Sequence, residues 1–141
     1  MNIIIDTGPL YAFFDSNDQW NRWIIETFAE IDPPFLTCEA VITETTFLLK
    51  RNGIPLYGLF QLIERKDLII TPVFNTQKSQ HYIRSFIDTY HDLPASFADA
   101  CLVYMVETQK DSKILTLDSD FSIYRNSKGQ PLPLISPDLR T

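Results

Sequence analysis

The sequence is poor in the residues that build disulfide frameworks and histidine or thiolate metal sites. Its 141 residues include two cysteines, two histidines and four glycines. Cys38 and Cys101 lie singly in apolar-rich segments, and neither they nor His81 and His91 have the spacing of a zinc motif. We therefore expect no zinc site, and we expect two small buried thiols in a cytoplasmic protein.

Positive charge and long apolar runs are also scarce. Twelve Lys and Arg residues face 18 Asp and Glu residues, which gives a net charge of −6 and a pI of about 4.7. This balance argues against broad nonspecific binding of nucleic acid through a basic surface, but a site where metal ions carry the positive charge stays possible. No apolar run approaches the roughly 18 residues of a membrane span, and no basic region precedes Ile3 as in a signal peptide. We expect a cytoplasmic protein without a membrane partner.

Short apolar segments alternate with amphipathic ones along the chain. This alternation predicts an α/β protein, a three-layer α/β/α sandwich with a central parallel sheet of about five strands, and residues 1–141 as one domain. The predicted strands are Ile3–Ile5, Phe35–Thr37, Leu68–Thr71, Ile114–Leu117 and a weaker one near Leu134 and Ile135. Helices are predicted from Pro9, after Asp18 as N-cap, over 39–51, 55–65 and 77–88, and from Pro94 to about Gln109.

Two of the predicted strands run directly into an aspartate. IIID ends on Asp6 and ILTLD ends on Asp118. Ligands of parallel sheets bind beyond the carboxyl ends of the strands, so these two carboxylates are candidate site residues.

Two further acids lie on predicted helices. Glu44 has apolar residues at the positions three and four away on both sides, so it should face the interior or its edge. Asp99 lies near the start of the long helix among small and apolar residues. An inward carboxylate is costly without a partner, and only Arg51 and Lys113 are near these acids in sequence.

Each acid taken singly has an ordinary structural interpretation. Asp6 could be a helix cap, and Asp118-Ser119-Asp120 is more typical of an Asx turn. Glu44 could reach solvent or pair with Arg51, and Asp99 could favour the positive end of its helix. All four acids together are harder to explain in this way. A Mg²⁺ or Mn²⁺ ion, which prefers oxygen ligands, would relieve their repulsion, and such sites serve phosphate chemistry.

The pattern of acids resembles the PIN-domain ribonucleases, and within them the VapC-type toxins of type II toxin–antitoxin systems. The resemblance spans the chain from Ile3 to about Arg125. The segments that carry it are IIIDTGPLYAFFD, VITETTFLL, DLPASFADACLVYMVE and ILTLDSDFSIYR, of which the last two are the most specific.

The resemblance implies a Mg²⁺- or Mn²⁺-dependent endoribonuclease that acts on single-stranded or loop RNA with metal-held water. Asp6, Glu44, Asp99 and Asp118 match the acidic quartet of the family, Asp120 matches a more variable fifth acid, and Thr7 and Thr116 match supporting hydroxyls. Asp6 and Asp99 are implied as the most direct metal ligands; Asp118 is implied as a further one or, with Glu44, as orienting metal water or a second ion. The family also implies a homodimer and a cognate antitoxin whose C-terminal segment covers the acidic pocket.

Two other functional classes stay open at this point. A non-catalytic PIN-like module that binds RNA or a partner suits the acidic pI; Arg22, Lys50, Arg51, Arg125 and Lys128 could form no more than a local basic rim. A phosphatase or phospho-acceptor fold also has an aspartate at a strand end. It would require a second acid close to Asp6, and the position two residues later is Gly8.

Overall fold

The computed structural model describes residues 1–137, in which five strands form one sheet. All neighbouring strands pair in parallel, in the order β3-β2-β1-β4-β5. The predicted parallel sheet of about five strands is therefore confirmed. The strands are β1 (Asn2–Ile5), β2 (Phe35–Thr37), β3 (Leu68–Ile70), β4 (Ser112–Leu115) and β5 (Leu134–Ile135).

Helices connect these strands and cover the sheet on both faces. The helices are α1 (Thr7–Phe14), α2 (Asn21–Glu30), α3 (Glu39–Arg51), α4 (Tyr57–Glu64), α5 (Gln77–Thr89) and α6 (Phe97–Thr108). α1 packs against α2 and α3, and α5 packs against α6. Because parallel crossovers are right-handed, the connections β1 to β3 bring α1–α4 to one face, and the return from β3 to β4 brings α5 and α6 to the other.

The strand β1 shows how completely the sheet is covered. Its residues Ile3, Ile4 and Ile5 are at most 4% exposed, although successive side chains on a strand point to opposite faces. Both faces of β1 are therefore inside the protein, which explains its continuous run of β-branched apolar residues.

The strand order reverses direction between β1 and β4. β2 and β3 follow β1 on one side, whereas β4 and β5 lie on the other. Such a reversal leaves a crevice at the carboxyl ends of the two central strands. Asp6 follows β1 at this point, and the pairing of Ile5 with Leu115 brings Thr116 opposite it.

Several predicted boundaries differ from the structure, and three of them bear on the site or on the helix caps. α2 begins at Asn21, because the Asp18 carboxylate accepts a hydrogen bond from the Trp20 N–H (2.8 Å) within the preceding turn. α6 begins at Phe97 and not at Pro94, since Ser96 is its N-cap. β4 ends at Leu115, so Asp118 lies three residues beyond the strand and precedes a short 3-10 helix, Ser119–Ser122.

Within the described residues 1–137, none of the helices combines the length and apolar character needed to cross a membrane.

Candidate active site

Asp6 lies at the junction of β1 and α1 and is 7% exposed. One carboxylate oxygen, Oδ1, accepts a hydrogen bond from the Thr7 N–H (2.7 Å), so Asp6 is the N-cap of α1. The other oxygen, Oδ2, accepts from the Thr116 Oγ1 hydroxyl (2.8 Å). Thr116 is fully buried. The capping role expected for an isolated aspartate is thus present together with burial at the crevice of the sheet.

The environment of Asp6 raises its pKa from 3.8 to about 7. Loss of hydration on burial is the largest cause, and the hydrogen bonds from Thr116 and Thr7 oppose it. The negative charges of Asp99 and Asp118 raise the pKa further. These charges act on Asp6 only because the three carboxylates lie near one another, and a cation among them would favour the ionised form.

Asp99 lies in the first turn of α6 and is 8% exposed. Its N–H donates to Ser96 Oγ (3.0 Å), and its Oδ2 accepts from the Tyr124 hydroxyl (2.7 Å). Burial raises the pKa of Asp99, the hydrogen bond from Tyr124 lowers it, and the charge of Asp118 raises it. Asp99 is therefore a second buried carboxylate, and the buried Tyr124 hydroxyl and Ser96 both help to keep it ionised.

Of the two positions predicted for Glu44, the interior or its edge, the structure shows the edge. Glu44 is exposed, and so is Phe47, at 63%. The buried face of α3 consists of Val41, Thr45 and Leu49, which recur every fourth residue. Glu44 lies beside that face, and its Oε2 accepts a hydrogen bond from the Thr7 Oγ1 hydroxyl (3.0 Å). It reaches the site from its solvent edge.

Asp118 and Asp120 lie on the loop after β4. Asp118 is exposed, and its Oδ1 accepts from the Asp120 N–H (2.9 Å), which gives the Asx-type turn expected for Asp-Ser-Asp. The Asp118 N–H donates to Thr116 Oγ1 (3.0 Å). Partial burial and the charge of Asp118 raise the pKa of Asp120. The parallel between IIID and ILTLD is therefore incomplete, because the residue directly after β4 is Thr116, whereas the residue directly after β1 is Asp6.

Hydrogen bonds connect four of the five predicted acids in one chain. Thr7 joins Glu44 to Asp6 through its hydroxyl and its N–H, and the Thr116 hydroxyl joins Asp6 to the Asp118 N–H. Asp120 follows through its own N–H. The two threonines thus occupy the supporting positions that the resemblance implied. Asp99 stands outside this chain and interacts with it through charge.

The donor set fits a hydrated, oxygen-liganded cation. The ion pairs found in residues 1–137 are Met1–Asp111, Arg22–Glu26 and Arg84–Asp88, none of which neutralises the site. In the same residues, no three carboxylate, histidine or cysteine side chains stand close enough together to hold an ion on their own. Mg²⁺ is ordinarily bound by one or two carboxylates with several waters, which this more open arrangement suits. The assignment of Asp6, Asp99 and Asp118 as metal ligands stays a prediction.

Tyr124 is the residue of the site that the sequence did not single out. It is fully buried and packs edge-on against Phe86, Tyr90 and Phe121, with ring centroids 4.9–5.2 Å apart. A buried tyrosine needs a partner for its hydroxyl, and here the partner is Asp99. The sequence offered one signal, a tyrosine six residues after Asp118 in an aromatic-rich segment, but nothing in it identified the partner.

The basic residues near the site have other contacts. The Arg51 guanidinium lies over the Phe47 ring, 5.6 Å from its centroid. The Arg125 Nη1 donates to the carbonyl oxygen of Ser122 at 2.7 Å. Arg22 pairs with Glu26 at 3.1 Å. These contacts give no indication of a shared basic rim around the acids.

Comparison with known proteins supports the fold. No family model matches the sequence, and no curated protein matches it either. Among solved structures, the chain is similar to VapC20 of Mycobacterium tuberculosis, a toxin that cleaves the sarcin–ricin loop. The TM-score is 0.73 at 20% sequence identity, over 86% of this chain and 94% of that one. A likeness at this identity shows the fold, so the predicted PIN-like α/β fold is confirmed.

Proposed function

We propose that this protein is a Mg²⁺- or Mn²⁺-dependent endoribonuclease, the toxin of a toxin–antitoxin pair. One observation carries the proposal: Asp6 and Asp99 are buried carboxylates near the strand-order reversal, the charges of Asp99 and Asp118 raise the pKa of Asp6, and the charge of Asp118 raises the pKa of Asp99. Residues with strongly perturbed pKa values in a cleft are candidates for catalysis. The similarity in fold to a toxin that cleaves RNA supports the same reading.

In this proposal Asp6 and Asp99, the two buried acids, hold the cation directly, and hydroxyls hold these two carboxylates. Asp118, which is exposed, is the third proposed ligand and would reach the ion from its loop directly or through a bound water. The bound ion supplies a water of lowered pKa and neutralises charge on the phosphoryl oxygens. Thr116 and Tyr124 each donate one hydrogen bond to a carboxylate, which orients it and favours its ionised form.

The exposed acids act at the side where substrate arrives. Glu44 accepts a hydrogen bond from Thr7 through Oε2, which leaves Oε1 to orient an attacking water or take its proton. Asp118 is held in its turn by the Asp120 N–H and by its own N–H to Thr116. Asp120 adds negative charge beside it and is proposed as the least important of the five.

The test is RNA cleavage by the wild type, Asp6→Asn and, as a matched control, Asp32→Asn, which changes an exposed acid in the loop before β2. Cleavage is expected with Mg²⁺ or Mn²⁺, with loss in excess EDTA and in Asp6→Asn but not in Asp32→Asn. Cleavage that persists in EDTA or in Asp6→Asn would overturn the proposal. The sarcin–ricin loop, the substrate of the similar toxin, is the first RNA to test.

We also propose a homodimer and an antitoxin partner in the cytoplasm. Helices on one face of the sheet carry exposed apolar side chains at Ile25 (48%), Phe47 (63%), Tyr57 (74%) and Phe60 (45%). Exposed apolar surface of this kind suits a protein partner. Light scattering tests the dimer, and relief of growth arrest by the neighbouring reading frame tests the antitoxin.

The acidic surface favours one alternative, a non-catalytic PIN-like module that binds RNA or a partner. The net charge of −6 and the pI of about 4.7 suit protein contacts more than a long RNA interface. RNA binding without metal-dependent turnover in the same assay would select this alternative.

A further inference from the structure

A cavity of about 450 Å³ lies between α5 and the segment 125–127, apart from the five acids. This volume is within the range of roughly 300–1,000 Å³ found for small-molecule sites. The residues that give the cavity its character are Lys78, His81, Tyr82, Phe86, Tyr90 and Arg125. No Asp or Glu is among the described lining residues, and Glu107 contacts the wall through its Oε1, which accepts a hydrogen bond from the Ser127 N–H (2.8 Å).

The interior of the cavity is aromatic and rigidly packed. Phe86 is 6% exposed, and its ring lies 4.8 Å from that of Tyr90 and 4.9 Å from that of Tyr124, between centroids. Tyr82 packs edge-on against Tyr104, with 5.1 Å between centroids. The half-buried rings of Tyr82 and Tyr90 are thus held in place by neighbours. Fixed aromatic rings are the surfaces on which bases of single-stranded nucleic acid stack.

The entrance of the cavity carries hydrogen-bond donors and positive charge. Lys78 and His81 lie one turn apart on the exposed side of α5. Arg125 faces them from the other wall; its N–H donates to the Tyr90 hydroxyl (2.9 Å), and its Nη1 donates to the carbonyl oxygens of Ser122 and Tyr124. These bonds hold the Nη1 nitrogen of the guanidinium against the main chain of residues 122–124, beside a cavity that Arg125 lines. Lys and Arg side chains in such a position bind phosphate oxygens through charge-assisted hydrogen bonds.

We propose that this cavity binds one nucleotide of an RNA strand, with the base against Tyr82 and Tyr90 and the phosphate at Lys78 and Arg125. The inference deepens the proposed ribonuclease function and rests on it for the identity of the strand. It explains how an acidic protein grips RNA, through one concentrated site and not a broad basic surface. One buried ring connects the cavity to the acids, since the Tyr90 ring centroid lies 5.0 Å from that of Tyr124, whose hydroxyl donates to Asp99.

The test is an NMR titration in EDTA, which removes the metal on which the acidic site is proposed to depend. The probes are AMP, ribose 5-phosphate, which lacks the base, and adenosine, which lacks the phosphate. Amide signals of residues 78–90 and 125–127 are expected to shift with AMP. Because a stacked base and a charge-assisted bond each contribute substantially, both truncated probes should bind about 10-fold or more weakly.

The chain supplies a matched pair of variants on one helix. Lys78→Glu and Arg84→Glu make the same change of charge on α5, but Arg84 lines a different cavity, with Phe74 and Phe97. We expect Lys78→Glu to weaken AMP binding about 10-fold and Arg84→Glu to change it less than about 2-fold. Equal effects of the two variants would overturn the inference, as would AMP shifts confined to the acidic site.

A further probe, a tetra-adenylate, distinguishes binding of an RNA strand from binding of a free nucleotide. If the cavity holds part of a strand, Lys78→Glu weakens binding of the tetra-adenylate as well as of AMP. If only AMP binding is sensitive, the assignment to RNA is wrong. Wild-type cleavage of RNA without any AMP shift would overturn this inference alone. AMP binding in the cavity without metal-dependent cleavage would overturn the proposed function and, with it, the assignment to RNA.

Discussion

Two groups of acids meet at the carboxyl edge of the sheet and are held in different ways. Asp6 and Asp99, here called the inner acids, are 7% and 8% exposed, and each accepts a hydrogen bond from a fully buried hydroxyl. The outer acids are Glu44, Asp118 and Asp120, of which the first two are exposed. The outer acids are connected to the inner acid Asp6 through hydrogen bonds that involve threonine hydroxyls and main-chain N–H groups.

The two groups differ in the free energy that is needed to keep their carboxylates charged in the folded protein. Burial of a carboxylate without a cation is expensive, and the inner acids carry that cost as raised pKa values. The outer acids keep much of their hydration. A protein gains nothing in stability from two buried, mutually repelling carboxylates, so their retention indicates a functional use. We therefore expect function to depend most steeply on the inner acids, less on Asp118, which is a proposed ligand on an exposed loop, and least on Glu44 and Asp120.

The largest expected effect tests this ranking directly. Asp99→Asn keeps the shape of the side chain and removes its charge, so a site that stabilises developing charge through a bound cation should lose roughly 10²–10³-fold in RNA cleavage. Glu44→Gln, the matched change on an outer acid, should lose about 10-fold. Single-turnover cleavage with Mn²⁺ measures both. An equal loss in the two variants would abolish the distinction between inner and outer acids.

The second prediction concerns the hydroxyl that holds Asp99. Tyr124→Phe removes the hydrogen bond to Asp99 Oδ2 and should lower cleavage by about 10–100-fold, as loss of a group supporting a metal ligand does. That hydrogen bond lowers the pKa of Asp99, so its loss raises the pKa. Because the ionised carboxylate is the active form, the acidic limb of the pH–rate profile should move to higher pH.

Tyr90→Phe is the control for this prediction. It removes a hydroxyl from the same aromatic cluster, one that accepts a hydrogen bond from the Arg125 N–H and does not touch an acid. Its pH–rate profile should match that of the wild type. A shift of equal size in Tyr90→Phe would assign the effect to packing of the cluster and not to support of Asp99.

The sequence was sufficient to predict the features that depend on local residue patterns. The β-branched run before Asp6 predicted a buried strand, and the alternation of strands and helices predicted the parallel sheet. It did not predict which acids are inner and which are outer. Glu44 has apolar neighbours on both sides along α3, yet the face centred on Val41, Thr45 and Leu49 is the one that packs. The choice between adjacent faces of a helix depends on tertiary contacts.

Thr116 and Tyr124 show a second limit of sequence reasoning. The end of β4 was predicted two residues late, so Asp118 was matched with Asp6, whereas the register with β1 gives that position to Thr116. Tyr124 supports Asp99 from 25 residues away along the chain. Partners of this kind are fixed by how the segment after β4 folds against α5 and α6, which residue spacing does not encode.

The third prediction concerns how far the buried charge of Asp6 lowers the free energy of unfolding when no metal is bound. Asp6 binds its proton more tightly in the folded chain, with a pKa of about 7 against 3.8. The folded state therefore holds more protons between these values, and stability falls as pH rises through that window. The full shift corresponds to about 4 kcal/mol. Asp6→Asn loses one acceptor, worth about 1–2 kcal/mol, so the variant should be about 2 kcal/mol more stable at pH 8 in EDTA.

Urea unfolding of the wild type and Asp6→Asn at pH 8 and pH 4.5 measures the sign of the change in the free energy of unfolding. At pH 4.5 Asp6 is protonated and uncharged in the folded state, like the amide of Asp6→Asn. The two proteins should then have similar free energies of unfolding, so the stability advantage of the variant should largely disappear. Mg²⁺ should stabilise the wild type at pH 8 more than Asp6→Asn, because only the wild type has the ligand. A variant less stable than the wild type at pH 8 would show that the hydrogen bonds from Thr7 and Thr116 outweigh the burial of the charge.

The smallest expected effect is at Asp120, the outer acid furthest along the hydrogen-bond chain. Its contact with Asp118 runs through its main-chain N–H, so Asp120→Asn leaves that bond in place and removes only a charge. Charges near the surface contribute about 0–1 kcal/mol, which predicts a change in kcat/KM below about 5-fold. Loss of the Asp120 charge removes part of the attraction for the cation, so the metal concentration for half-maximal cleavage should rise, but only slightly. A loss near 100-fold would contradict this ranking, since only a carboxylate that contacts the cation or the reacting phosphate could account for it.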